Sequence, residues 1–203
     1  SERELCEKLN VQRLTLRSGL RILMQEGIII SKQRSGYYVN KPRIVKNVFH
    51  LESTSEAIFE QGLNMKIKIL NIEKKETNKQ LSTKLRLPLG TKVYCLQRLR
   101  IIDDEPVSVD TSYLPIKYAQ GLEKKDFESR ALYQILESEY DISINRSEQE
   151  ILICEADNYI ANALHVELGT QMVLQQGLAY DNDNRQIEYS ESIMKMERFV
   201  YVN

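Results

Sequence analysis

The first forty residues, Ser1–Asn40, read SERELCEKLNVQRLTLRSGLRILMQEGIIISKQRSGYYVN. Ser1 and Glu4 have the spacing of a capping box. They begin a short helix that ends at Asn10, a residue that tolerates the left-handed conformation of a helix terminus. An amphipathic second helix follows and stops near Gly27. A β-branched run, a turn at 34–36 and a second short strand complete the segment. This order of elements predicts a helix–turn–helix followed by a β-wing.

The polar face of the second helix is basic. Arg13 and Arg17 lie four residues apart, Arg21 continues the face, and Thr15 lies near the N-terminal end. Helices of this motif enter the major groove with that end first, so Arg13, Thr15 and Arg17 are expected to contact bases or phosphates. The alternative is a solvated helix face. The face holds no acid before Glu26, which favours binding to nucleic acid.

Charge is distributed unevenly along the 203 residues, although the net charge is only −1. Residues 1–43 hold nine Lys and Arg against four acids, which gives +5. The remaining residues hold 19 bases against 25 acids, which gives −6. A basic head on an acidic body predicts two domains, of which only the head binds phosphates.

Composition excludes several classes of protein. No apolar run approaches the roughly 20 residues that span a bilayer, and no signal peptide is visible, so no membrane partner is expected. The three widely spaced cysteines are typical of reduced thiols in a cytoplasmic protein. The two histidines form no metal-ligand spacing, and no nucleophile or phosphate-binding motif occurs. We therefore expect no metal, no cofactor, no catalytic residue and no enzymatic activity.

The body alternates strands and helices. Strands are predicted at 66–75, where the alternation is imperfect, and at 91–102, 107–114, 142–153, 172–180 and 186–194. Helices are predicted at 54–62, 79–87, 126–140 and 154–165. The pattern indicates an α+β unit with an antiparallel sheet built from hairpins. The expected division is a head over 1–42, a linker over 43–50 and a body over 51–203.

Paired arginines mark a candidate anion site in the body. Arg98 and Arg100 lie two apart in a strand and therefore share a face, which suits bidentate recognition of a carboxylate or phosphate. The alternative is an exposed sheet face on which Asp110 or Glu188 balances their charge. Glu188 and Ser190 share a face of another strand and could contact hydroxyl or amino groups of a polar ligand.

The head resembles the winged helix–turn–helix of GntR-family transcription regulators. The resemblance rests on Ser1-Glu2-Arg3, on Arg13, Thr15 and Arg17, and on Gly36-Tyr37-Tyr38-Val39. It implies that Arg3, Arg13, Thr15 and Arg17 contact DNA and that the wing around Ser35 and Gly36 enters the minor groove. Members of the family have a further helix upstream. The resemblance therefore implies a head truncated at its N-terminus, with the first helix missing.

The body resembles the UTRA domain of the HutC-type branch of that family. The matching landmarks, in chain order, are Glu60-Gln61-Gly62-Leu63, Arg98-Leu99-Arg100, Asp104-Glu105-Pro106, Ser112-Tyr113-Leu114-Pro115, Leu132-Tyr133, Leu168-Gly169 and Ile187-Glu188-Tyr189. The resemblance implies a chorismate-lyase-like fold, an antiparallel sheet with flanking helices. It also implies an effector site in which Arg98 and Arg100 bind the anionic group and Glu188 a hydroxyl or amino group. The expected site is completed by Tyr113, Tyr133 and Ser190.

Two positions depart from the family pattern. Ala131 precedes Leu132-Tyr133 where the family often has Ser, so a phosphate-binding hydroxyl is missing. Met194-Lys195 stands where a Tyr-Arg pair is usual. We therefore expect an effector that differs from the phosphosugars common in this branch, or that is bound through other groups.

These observations together predict a ligand-responsive, DNA-binding transcriptional regulator. In its expected form it is a homodimeric repressor on double-stranded operator DNA. A small polar, anionic metabolite, a sugar phosphate or a related compound, would release it. Two alternatives stay open: a chorismate-lyase-like small-molecule enzyme with an accessory head, and a dimerising regulator without a ligand.

Overall fold

The computed structural model describes residues 1–32, 35–47 and 54–202. They form two compact units, Ser1–Arg43 and Ile44–Asn203. Within the described ranges, no helix has both the length and the apolar character needed to cross a membrane.

The first unit consists of two helices and a hairpin: α1 (Glu2–Leu9), α2 (Arg13–Gln25), β1 (Ile29–Lys32) and β2 (Gly36–Val39). The capping box is confirmed, because Ser1 accepts from the backbone of Glu4 and the Glu4 side chain returns the bond. The predicted left-handed terminus at Asn10 is confirmed as well, with φ 50°. Leu16, Leu20 and Ile29 form the small core that holds α2 against the hairpin.

The second unit is an antiparallel sheet with helices on its faces, which confirms the predicted α+β class. Its elements are β3 (Ile44–Asn47), α3 (Thr54–Glu60), β4 (Met65–Glu76), α4 (Lys79–Leu85), β5 (Lys92–Ile102), β6 (Glu105–Pro115), α5 (Leu132–Tyr140), β7 (Ile144–Glu155), α6 (Asn158–Leu164), β8 (Gln171–Asp181), β9 (Gln186–Lys195) and β10 (Phe199–Val202). Six strands form the sheet in the order β4-β5-β6-β9-β8-β7.

The sheet contains an internal repeat that the sequence analysis missed. The run β4-α4-β5-β6 is matched by β7-α6-β8-β9, and the two halves meet where β6 pairs with β9. Asn78 and Asp157 cap the first turns of the two helices, and Gly90 and Gly169 both have φ +78°. The repeat places β4 and β7 at equivalent outer edges of the sheet.

The predicted linker over 43–50 is wrong at its beginning. Residues Ile44–Asn47 form β3, which pairs in parallel with β10, and Ile44 is fully buried beside Ile58 and Ile102. The strand partner comes from the far end of the chain, so no local pattern could reveal it. The boundary between the compact units follows Arg43. Residues 48–50 of the predicted linker lie outside the described residues.

Two predicted helices begin later than expected. Asp126 was placed in a helix, but its carboxylate accepts from the backbone N–H of Glu128 and Ser129 at 3.0 and 3.2 Å, which makes a turn before α5. Cys154 belongs to β7, and α6 begins after Asp157, whose carboxylate accepts from Ile160 N at 2.8 Å. Such local bonds from Asp side chains compete with helix formation.

We predict that Leu164→Ala destabilises the protein by about 2–5 kcal/mol, because Leu164 is fully buried between α6 and the sheet and its truncation leaves a cavity. Urea denaturation of the full chain measures the free energy of unfolding. The matched control is Leu168→Ala, since Leu168 is largely exposed and should change stability by only about 0.5 kcal/mol. Equal losses in both variants would contradict the packing described here.

Candidate functional site

A cavity of about 210 Å³ opens on one face of the six-stranded sheet. Its floor is a row of side chains that are neighbours across the strands. Arg98 of β5 lies opposite Asp110 of β6, Asp110 opposite Ser192 of β9, and Ser192 opposite Gln175 of β8. Because cross-strand neighbours point to the same face, this polar row is concentrated in one place.

The walls come from elements that cover this face of the sheet. They are the start of α3, the first two turns of α5, the strand β3, and the edge strand β7 with the residue that precedes it. Their contributions to the lining are Lys46, Thr54, Ser55, Glu56, Ala131, Leu132, Tyr133, Glu137, Ser143, Ile144, Ser147 and Gln149. The cavity is thus lined by many polar groups and several charges of both signs.

Arg100 is already neutralised within the protein. Its Nε donates to Asp110 Oδ2, and its Nη1 donates to Ser55 Oγ at 2.7 Å. Both charged side chains of the pair are buried. Burial raises the pKa of Asp110, but Arg100 and then Arg98 outweigh it and hold that pKa below its usual value. Arg100 therefore acts as a fixed part of the floor.

Arg98 retains hydrogen-bonding capacity. Its side chain is 6% exposed, and Nη2 donates to Ser112 Oγ at 2.9 Å. Within the described ranges, Nε has no hydrogen-bond partner. Burial and then the neighbouring Arg100 lower the pKa of Arg98, because both disfavour its charged form. An acceptor with negative charge would relieve both penalties.

Glu188 and Tyr133 form a second polar pair in the cavity. Tyr133 donates its hydroxyl proton to Glu188 Oε2 at 2.6 Å. Burial and then Glu188 raise the pKa of Tyr133 well above its usual 10, so the phenol keeps its proton and its role as donor. Ser190 lies two residues further along β9 and also lines the cavity. These groups can accept hydrogen bonds from hydroxyl or amino groups.

Lys46 is a cavity residue that the sequence analysis missed, because it fell in the predicted linker. Its Nζ donates to Gln175 Oε1 at 2.7 Å and to Thr54 Oγ1 at 3.0 Å, and the side chain is buried. Gln175 and Ser192 were also missed, since each lies among other polar residues of its strand and belongs to no motif. No signal short of the strand register could have placed them beside Arg98.

The structure brings together five of the six predicted effector-site residues, namely Arg98, Arg100, Tyr133, Glu188 and Ser190. The prediction for Tyr113 is wrong. Its ring lies on the opposite face of the sheet and stacks on Tyr189, with ring centroids 5.9 Å apart. The alternative of an exposed sheet face is also wrong, because both arginines are buried.

The two departures from the family pattern lie in different places. Ala131 lines the cavity, so the missing hydroxyl is missing from the cavity wall. Met194 is fully buried in the core, and Lys195 donates to Glu105 at 3.0 Å. Neither residue lines the cavity.

In the head, an acid lies among the recognition-helix arginines. Glu2 of α1 accepts from Arg13 Nε at 2.8 Å, from Arg17 Nε at 3.1 Å and from Tyr37 Oη at 3.2 Å. The bonds from Arg17 and then Arg13 lower the pKa of Glu2 to about 2. The arginine side chains remain 68% and 54% exposed, so both stay accessible to phosphates.

The other predicted DNA-contacting residues are also at the surface. Arg3 is exposed and pairs with Glu7 one helical turn away, and Thr15 is exposed on α2. Ser35 is exposed, and Gly36 begins β2 with φ +107°, a value that glycine adopts readily. Residues 33–34 of the wing lie outside the described residues. DNA contact by these side chains stays a prediction.

A winged helix–turn–helix followed by a sheet unit with a buried, charge-lined cavity defines the class of ligand-responsive DNA-binding regulators. Residues 60–200 match the family model described as UTRA domain, and residues 1–39 match the one described as bacterial regulatory proteins, gntR family. The chain belongs to the gntR family of bacterial regulatory proteins, in the branch that carries a UTRA domain.

Three of the curated relatives are named as transcriptional repressors. The chain is 25% identical over 203 residues to the HTH-type transcriptional repressor NagR of Bacillus subtilis, covering 100% of this chain and 83% of that protein. It is 25% identical to the probable fructoselysine utilization operon transcriptional repressor of Escherichia coli K12, with 98% and 81% covered. It is 24% identical to the mannosyl-D-glycerate transport/metabolism system repressor MngR of the same organism, with 99% and 83% covered.

A solved structure supports the fold of the whole chain. PhnF from Mycobacterium smegmatis superposes with a TM-score of 0.82 at 27% identity, covering 100% of this chain and 90% of that one. The family and these relatives show that the protein is a DNA-binding transcriptional regulator and not an enzyme. The prediction that the protein is not an enzyme is therefore confirmed, and the alternative of a chorismate-lyase-like enzyme is excluded.

We predict that Arg17→Gln raises the pKa of Glu2 from about 2 towards its ordinary 4.5, because Arg17 is the largest cause of the depression. Since the folded-state pKa is lowered, the stabilisation from this contact is present above pH 4.5 and is lost as the pH falls towards 2. NMR titration of the Glu2 carboxyl measures the shift. Arg21→Gln is the control, and a shift of the same size there would contradict the pairing.

Proposed function

We propose that this regulator is a homodimeric repressor that a small, polar, anionic metabolite releases from its operator. The metabolite is of monosaccharide size and also carries hydroxyl or amino groups, as a sugar phosphate or a sugar acid does. One observation carries this proposal: Arg98 is a buried guanidinium that lines a cavity, and its Nε finds no acceptor within the described ranges.

A helix terminus adds to the attraction for an anion. The nine-residue helix α5 begins at the cavity wall, and Ala131 at its N-cap supplies no side-chain hydrogen bond to the first turn. The first backbone N–H groups of a helix lack intrahelical partners and carry partial positive charge. Together with Arg98 they offer a bound phosphate or carboxylate both charge and donors.

Another part of the cavity lining is acidic and favours hydrogen-bond donors on the ligand. Glu56, Glu137 and Glu188 are carboxylates, and the amide of Gln175 adds a further acceptor. The charge of an anion would be repelled by these carboxylates. If the ligand had no hydroxyl or amino group, no hydrogen bond to the carboxylates would offset that repulsion. A ligand with an anionic end and a polyhydroxyl or amino body fits both parts of the cavity.

The volume of the cavity and the names of two relatives support the same class of ligand. The volume of about 210 Å³ lies below the roughly 300–1,000 Å³ usual for drug-sized ligands and suits a monosaccharide derivative. Two relatives are named after fructoselysine and mannosyl-D-glycerate, both of which are sugar derivatives. Because Ala131 offers no hydroxyl, Arg98 and the backbone of α5 have the larger share in anion binding.

Repression and its release then form a two-state equilibrium. Two heads on one dimer read the two halves of a pseudo-palindromic operator. The effector shifts the population towards the form that binds DNA weakly. The size of this shift is set by how much more tightly the effector binds that form than the other one.

We predict that Arg98→Met weakens effector binding by about 10- to 100-fold, the value of lost hydrogen bonds to a charged group. Operator affinity without ligand should stay within about twofold, because Arg98 lies in the sheet unit and the contacts predicted for DNA lie in the head. The assay is a thermal-shift screen with sugar phosphates, amino sugars and sugar acids, followed by operator-release titration.

Arg146→Met is the matched control, since Arg146 is exposed on the edge strand and outside the cavity lining. An unchanged response in Arg98→Met would refute the anion site. No shift with any compound in the wild-type protein would favour the regulator without a ligand.

We predict that Arg17→Ala weakens operator binding and lowers the salt dependence of the logarithm of the binding constant by about one, if Arg17 contacts one phosphate. Fluorescence anisotropy at several salt concentrations measures both quantities. Lys79→Ala on α4 removes an equal charge from the sheet unit and serves as control. Equal slopes for both variants would exclude a phosphate contact by Arg17.

A further inference from the structure

Gly177 is the counterpart of Arg98 in the internal repeat of the sheet. Arg98 of β5 lies eight residues after Gly90. Gly177 of β8 lies eight residues after Gly169, the equivalent glycine of the second half. The strand register agrees with this count, because each residue pairs with the equivalent position on the second strand of its hairpin. The two residues therefore occupy equivalent places on the floor of the cavity.

The two halves of the floor differ in the size of their side chains. Arg98 and Arg100 place two large cations on the cavity face of β5. The equivalent places on β8 hold Gly177 and Ala179. Strand β8 therefore leaves bare the part of its face that two arginines cover in the first half of the sheet.

The backbone of Gly177 gives no reason for a glycine. Six of the eight glycines of the chain have positive φ, and Gly177 is not one of them. The residue also pairs with both neighbouring strands, and no bulge falls at its position. A glycine inside a regular strand weakens the strand, and it often marks a place where a ligand or another segment approaches the backbone closely.

Packing within the protein does not require the glycine either. Among the described residues, the atoms nearest to a Cβ at position 177 would be Ser190 Oγ at 3.0 Å, the carbonyl oxygen of Glu148 at 3.7 Å and Gln149 Cγ at 4.0 Å. All three belong to the neighbouring strands, and the Ser190 hydroxyl can turn to another rotamer. Because Ser190 and Gln149 line the cavity, the space that the glycine keeps free adjoins the cavity.

We propose that Gly177 selects the effector by size, because the body of the bound metabolite lies over this residue. The assignment rests on the proposed function and adds an orientation to it. Arg98 holds the anionic end, and the body extends across the floor towards β8. There Glu188, which lies opposite Ala179, accepts hydrogen bonds from hydroxyl or amino groups. A metabolite of monosaccharide size needs this second half of the floor to be free of large side chains.

A size series at position 177 of the full chain tests the proposal. Gly177→Ala should raise the Kd of hexose derivatives by roughly tenfold, and Gly177→Val by more, since each adds volume beneath the ligand. The probes are glucose 6-phosphate, glucosamine 6-phosphate and gluconate. Glycerol 3-phosphate has an anionic end and a short body, so its Kd should stay within about twofold. Isothermal titration calorimetry measures each Kd.

The melting temperature of the ligand-free protein separates selection of a ligand from packing. Gly177→Ala should leave the Tm unchanged or raise it, because alanine restricts the unfolded chain and the φ of Gly177 needs no glycine. The matched control is Gly19→Ala, the same exchange at an exposed helix position where a Cβ would meet no described atom within 4 Å. It should leave the Kd of every probe unchanged. A lower Tm for Gly177→Ala would show that packing requires the glycine and would overturn the proposal.

The binding results also separate this proposal from the proposed function. Hexose derivatives that bind equally well to the wild type and to Gly177→Val would overturn the selection by size and leave the anion site at Arg98 standing. Equal losses for glycerol 3-phosphate and the hexose derivatives would place the damage at the anion site and overturn the selection as well. A wild-type protein that binds none of the hexose derivatives would overturn both the selection and the proposed class of ligand.

Discussion

The cavity depends on one buried ion pair, that between Arg100 and Asp110. Two arginines two residues apart on a buried strand face repel each other, and burial penalises both charges. Asp110 forms the ion pair with Arg100. Among the described residues, the Nε of Arg98 is then left without an acceptor. Such a pair is weak evidence for stability, because desolvation offsets much of the attraction. Its contribution lies in specificity: it fixes which of the two arginines keeps a donor without a partner in the described part of the cavity.

The sheet shows what local sequence can and cannot predict. Six strands were predicted from alternation and turn residues, and even the imperfect alternation at 66–75 has a structural cause, since Leu70 is the extra residue of a β-bulge. The shared face of Arg98 and Arg100 followed from their spacing. The prediction for Tyr113 was wrong because the family landmark gives its position in the chain but not the face of the sheet on which its side chain lies. The neighbouring residue Ser112 is the one that lines the cavity.

The features that sequence reasoning missed all involve contacts between distant segments. Lys46 became a cavity residue only through the parallel pairing of β3 with β10. Glu2 reached Arg13 and Arg17 from another helix, so the count of acids on the recognition helix alone was misleading. The repeat of β4-α4-β5-β6 in β7-α6-β8-β9 is visible in the sequence as LRLPLGT at 85–91 and LHVELGT at 164–170. Only the order of the strands in the sheet shows that these segments occupy equivalent places in two halves of one sheet.

The position of β3 in the chain sets the length of the tether between head and body. The compact head ends at Arg43, and β3 begins at the next residue. Release of β3 from β10 would free four residues, or about 13 Å of extended chain. For two heads on one dimer, a longer tether lowers the effective concentration of the second head at its half-site once the first is bound. Lys46 anchors this strand inside the cavity through Gln175 and Thr54. In the homodimer proposed above, the strength of that anchor would tune the avidity of the two heads for DNA.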